Sequence, residues 1–166
     1  MKKSTNFLPL IAVTLLFVFS IISCNNKVEE TTETVTEPTF NLTTAKAEMV
    51  ALSIEWMAFL AAGDSVGLAN MYAQDAKFMM DGAPAISGRK NIQSTFSGMM
   101  KSGISRGDLI IIDVWGTENL LAEEGELSLF VGDTEVDQVK YIVLWKKEEG
   151  KWKLFRDIFN SNLPAK

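Results

Sequence analysis

No histidine occurs in this chain, and its one cysteine is Cys24, so the groups left to move protons or hold a ligand are carboxylates, lysines, arginines, tyrosines and the backbone. Serine triads lack their base, and zinc or Cys/His arrangements lack their ligands. A disulfide within the chain is excluded, Gly-rich phosphate loops are missing, and neither a metal nor a cofactor is expected. Among the carboxylates, Asp157 is marked by its company, standing between Phe155 and Phe159 in K-W-K-L-F-R-D-I-F-N. A carboxyl on an apolar face is partly desolvated, which raises its pKa and suits it to shuttle a proton or anchor a ligand's hydroxyl or amine. Pairing with an arginine such as Arg89 or Arg106 is the plain structural alternative. Asp81 precedes Gly82, which is ordinary turn chemistry. The methionines Met49, Met71, Met79, Met80, Met99 and Met100 read as flexible packing, since no His or Cys supports a soft metal site.

The element that must position Asp157 is a hairpin over residues 139–160. Two runs rich in β-branched and aromatic residues flank a charged turn ending at Gly150. Strand alternation sorts Tyr141, Val143, Trp145, Trp152, Leu154 and Ile158 onto one face, and Ile142, Leu144, Phe155, Asp157 and Phe159 onto the other. Both faces are apolar, so helices covering one leave the other in need of a second partner. Upstream, Met49, Leu52, Trp56, Phe59 and Leu60 recur at helical spacing from Thr43 onward. Gly63 ends that helix, Asp64 caps a short one over 65–72, and a strand over 76–80 leads to a turn-rich stretch at 81–88. A third helix spans about 89–101, with Ser87 as its cap. Strands follow at 109–115, 120–123, 126–131, 139–147 and 151–160, separated by glycines including Gly125. Helices first and strands afterwards predict an α+β fold, an antiparallel sheet with helices on one face.

Met1-Lys2-Lys3 and the apolar run 7–22 form a secretion signal, too short and too interrupted at Pro9 for a membrane span. Ile21-Ile22-Ser23-Cys24 resembles the bacterial lipobox, in which the cysteine is acylated and becomes the new N-terminus. The expected organisation is a signal peptide at 1–23, a lipidated Cys24 with a flexible Thr/Glu tether at 24–41, and a folded domain at 42–164. Acyl chains on Cys24 would hold the domain to a bilayer in the bacterial envelope. Asn25 after the cysteine favours the outer membrane, on its periplasmic or surface side. Without Lys2 and Lys3 the mature chain keeps 14 basic against 21 acidic residues, a formal charge of −7 that repels phosphate backbones and argues against nucleic acid as a partner.

The strings A-A-G-D-S-V-G-L-A-N-M-Y-A-Q-D-A at 61–76, I-S-G-R-K-N-I at 86–92 and W-K-K-E-E-G-K-W-K-L-F-R-D-I-F-N-S-N at 145–162 resemble the NTF2-like superfamily, in its SnoaL-like and DUF4440-type branch. The resemblance implies a cone: a curved antiparallel sheet wrapped around three N-terminal helices, with a pocket at the wide end and dimers through the outer sheet face. It places Ile142, Leu144, Phe155, Asp157 and Phe159 toward the cavity, and Tyr141, Trp145 and Trp152 on the convex side. Matched to the ketosteroid isomerases, Trp56 stands at the donor tyrosine, Met80 at the general base with Asp81 one residue away, and Ile142 near the late-sheet aspartate. Three functions follow as expectations. The first is a small, largely apolar ligand bound by Trp56, Met80, Ile142, Leu144, Phe155, Asp157 and Phe159. The second is a lyase or isomerase in which Asp81 or Asp157 moves a proton while Trp56 steadies an oxyanion. The third is a scaffold that binds a partner through its outer sheet face.

Overall fold

A computed structural model describes residues 40–164, so Cys24, the signal segment and most of the tether lie outside the described residues. Three helices and six strands follow in the order α1 (Leu42–Ala61), α2 (Ser65–Asn70), β1 (Tyr72–Met80), β2 (Ile86–Ser87), α3 (Arg89–Lys101), β3 (Ile104–Gly116), β4 (Leu120–Val131), β5 (Thr134–Glu148) and β6 (Lys151–Ser161). The Asn41 side chain accepts from the Thr44 N–H at 3.1 Å to cap α1, and Asp64 caps α2 through the Gly67 N–H at 2.8 Å. At α3 the cap is Gly88, at φ 83°, rather than Ser87, whose carbonyl instead accepts from the Asn91 amide. Tyr72 opens β1 instead of closing α2, a change that matters for the site.

All six strands form one sheet in the order β2-β1-β6-β5-β4-β3. The expected α+β architecture holds, with one refinement: β1 and β6 pair parallel, and every other pair is antiparallel. The helices pack against β3 and β1. Gly125 does not separate two strands but lies inside β4 opposite Tyr141. A Cβ there would come within 2.2 Å of the Tyr141 hydroxyl, so only glycine lets that phenol cross the strand.

The hairpin corrects the expected division of faces. Its two-residue turn, Glu149-Gly150, has positive φ at both positions, as tight hairpins favour. From there Trp145 pairs with Leu154, but Leu144 pairs with Arg156, leaving Phe155 as an extra, bulged residue. The bulge switches the phase of β6. Trp152 and Leu154 point inward before it, and Asp157 and Phe159 after it, while β5 keeps one phase with Tyr141, Val143 and Trp145 buried. Ile142 is 45% exposed, and Leu144 is half-buried away from the core. Phe155 lies under cations, with the Arg156 guanidinium 3.6 Å and the Lys146 ammonium 4.6 Å from its ring centre.

Candidate functional site

Three cross-strand rows face the helices. Leu121, Trp145, Leu154 and Tyr72 form one; Glu123, Val143, Asp157 and Phe78 the next; Gly125, Tyr141, Phe159 and Met80 the third. With α1 and α3 above them, these rows enclose a hollow of about 60 Å³, to which Ser53, Trp56, Phe96, Met99, Leu109 and Leu127 also contribute. The central row carries two acids with Val143 between them, placing their backbones about 9.5 Å apart across two strand spacings.

Sequence reading missed Glu123, yet the signal was there. In β4, Leu121, Glu123, Leu127 and Leu129 occupy alternate positions, so a glutamate sits in the phase of the apolar residues. Glu123 is 1% exposed. Tyr141 and Trp145, the diagonal neighbours on β5, each donate to it: the Tyr141 hydroxyl to Oε1 at 2.8 Å and the Trp145 indole N–H to Oε2 at 3.0 Å. Burial nevertheless wins, pushing the Glu123 carboxyl up to about 7, with the nearby Asp157 charge adding to the rise. The same burial, reinforced by Glu123, raises the Tyr141 hydroxyl, so it stays a donor throughout the physiological range.

Asp157 is 9% exposed and takes no arginine partner, contrary to the structural alternative. Arg89 instead binds the Tyr72 carbonyl and Glu148. The Tyr72 hydroxyl donates to Asp157 Oδ2 at 2.6 Å. Among the described residues Oδ1 has no protein donor and is not fully enclosed, and Asp157 lines the hollow. Burial raises the Asp157 carboxyl to about 6 against the opposing pull of the Tyr72 hydrogen bond. Burial and the Asp157 charge together hold the Tyr72 hydroxyl well above its ordinary value, while Trp56 acts as a weak donor toward it.

Of the residues expected in the site, Trp56, Asp157 and Phe159 are brought together at the hollow. Trp56 lies edge-on to Phe96 at 6.0 Å, and Phe159 packs in a tilted arrangement against Phe78 at 5.2 Å. Met80 neighbours Phe159 on the inner face but does not line the hollow. The inward placement of Ile142, Leu144 and Phe155 is corrected, because the bulge reverses the faces as described. Asp81 sits exposed in the turn after β1 and is not among the residues that line the hollow. Tyr141, Trp145 and Trp152 are buried, not convex. The arrangement pairs two buried acids near neutrality with an apolar chamber, which can bind a donor or exchange a proton with one. Among the described residues no group of acids is arranged to hold a metal.

Residues 54–155, more than half of the chain, match the SnoaL-like domain model. A ketosteroid isomerase-like protein from Erwinia carotovora atroseptica is similar in fold, with a TM-score of 0.61 at 18% identity over 75% of this chain and 100% of its own. An NTF-2 like protein of unknown function from Shewanella oneidensis gives 0.63 at 13% identity, over 70% and 98% of the two chains. A putative dehydratase of the NTF2-like family from Streptomyces avermitilis gives 0.60 at 17% identity, over 74% and 99%. No match was found among curated proteins. The motif strings, the mixed sheet folded over three helices and the match across the domain agree: this chain belongs to the SnoaL-like domain family, on an NTF2-like fold.

Proposed function

We propose that the chain is a lipid-anchored envelope protein whose domain binds a small, largely apolar molecule in the hollow, with Asp157 as its polar contact. The observation that carries this reading is Asp157 on the lining of a largely apolar hollow, with an Oδ1 that meets no protein donor among the described residues. A site needs about 10–15 Å³ to admit a single water, so a hollow of about 60 Å³ has room for a small group without movement of the lining. Native mass spectrometry of the purified protein tests it. A co-purified small molecule is expected on the wild type and is lost from Asp157→Asn; equal retention removes Asp157 from the site.

A second reading, a lyase or isomerase, is favoured by one specific observation: two acids raised to about 6 and about 7 share the chamber. With both carboxyls raised toward neutrality, one of the pair serves as base while the other serves as acid. This assigns no role to Asp81. The fold neighbours called ketosteroid isomerase-like and putative dehydratase lend it general support. The membrane attachment rests on Cys24 and its signal segment, and among the described residues no helix is long and apolar enough to cross a membrane. A homodimer through the outer sheet face also forms part of the proposal, now with Ile110, Ile112, Trp115, Ile142 and Ile158 as its exposed apolar groups.

A further inference from the structure

We infer that the ligand is a small organic cation, an alkylammonium ion whose apolar groups fill the hollow and whose N–H meets Asp157 Oδ1. The inference rests on the reading of the hollow as a ligand site and names its chemical class. Four observations on the lining point the same way.

The first is a count of donors and acceptors. The Tyr72, Tyr141 and Trp145 protons are all directed at the two carboxyls, which leaves Ser53 and Trp56 as the other polar side chains of the lining, and the polar group offered to a guest at Asp157 is an acceptor. A guest seated at Asp157 must therefore bring a donor. The second is charge. No lysine or arginine lines the hollow among the described residues, so an ionised Asp157 faces no compensating cation. A buried charge without a counter-ion is costly, and a guest ammonium removes that cost while a neutral alcohol does not.

The third is the wall. Trp56, Phe78, Phe96, Tyr141 and Phe159 all contribute rings, and aromatic rings are the apolar surface that attracts a cation. The fourth is size: about 60 Å³ suits a compact ammonium head group at Asp157. The titratable groups facing Asp157 are Tyr72 from β1, Glu123 from β4 and Tyr141 from β5; α1 and α3 bring no charged group to the lining. Of these, only Glu123 titrates near neutrality, and its ionisation adds to the attraction. Binding of a cation is accordingly coupled to loss of protons from the two acids, and strengthens as pH rises through about 6 and about 7.

The test compares two probes of the same shape, tert-butylammonium and tert-butanol, on the full chain in detergent, by calorimetry at about pH 8 and about pH 5. Tert-butylammonium is expected to bind at least about tenfold more tightly than tert-butanol at the higher pH, and to lose that preference at the lower. Asp157→Asn, checked for an intact melting transition, should abolish the preference; the two wild-type probes decide the matter even if that variant fails to fold. Equal affinities, or tighter tert-butanol, would overturn the cation class and leave the ligand site standing. Binding of neither probe, together with no co-purified molecule, would overturn both.

Discussion

Asp157 and Glu123 are kept in the fold at a cost that depends on protonation. Each holds its proton more tightly in the folded chain than in the unfolded one, with values of about 6 and about 7. The stabilisation this provides is complete below about pH 4 and is lost as pH rises through about 6 and 7, on the order of 3 kcal/mol for each acid. The exposed ion-paired acids Asp75 and Asp113, whose carboxyls lie below their usual range, act in the opposite sense only in more acid solution. The wild type should therefore melt higher at about pH 5 than at about pH 8, by about ten degrees or more. Asp157→Asn should flatten that dependence, and differential scanning calorimetry across the interval checks it; a wild-type melting temperature that rises toward pH 8 would contradict the burial of these acids. Asp157 was legible in the sequence because two phenylalanines frame it, whereas Glu123 was hidden among the other acids of L-L-A-E-E-G-E. Only the phase of Leu121, Leu127 and Leu129 separates Glu123 from Glu124, and a single strand's phase is easily lost.

At the scale of elements, the hairpin decides which side chains see the hollow. Its existence, its turn at Gly150 and the grouping of Tyr141, Val143, Trp145, Trp152 and Leu154 on one face could be read directly from alternation. The bulge at Phe155 could not, because an extra residue leaves no mark on composition; it silently exchanged inside and outside for half of the strand. Asp157 and Phe159 came out inward because that exchange fell before them. The sequence likewise divides β4 in two, since Gly125 looks like a break when it is in fact a close approach to Tyr141. Gly125→Ala would set a Cβ against the Tyr141 hydroxyl and force it from Glu123. The expected cost is about 2 kcal/mol or more, from overpacking plus a buried carboxyl left short of a donor. Urea denaturation measures it, and a variant as stable as the wild type would show that Tyr141 does not cross Gly125.

Across the whole molecule, the SnoaL-like match spans residues 54–155, and the proposed anchor precedes it at Cys24. Cys24→Ala should move the protein from the membrane to the soluble fraction, and continued detergent-dependent fractionation would defeat the lipid anchor. The outer sheet face presents Ile142 and Ile158 as direct cross-strand neighbours, 45% and 46% exposed. Ile142→Glu should therefore convert a dimer to monomers without unfolding, as light scattering would show; an unchanged mass would count against that face. Trp152, 7% exposed and donating to Glu48 at 2.9 Å, belongs instead to the core, and Trp152→Glu should cost stability. The account as a whole turns on two acids enclosed in one apolar chamber. A pH titration of the carboxyl carbons of Asp157 and Glu123 by carbon-13 NMR examines that most directly: midpoints near 6 and 7 are predicted, and midpoints near 4 for both would contradict it.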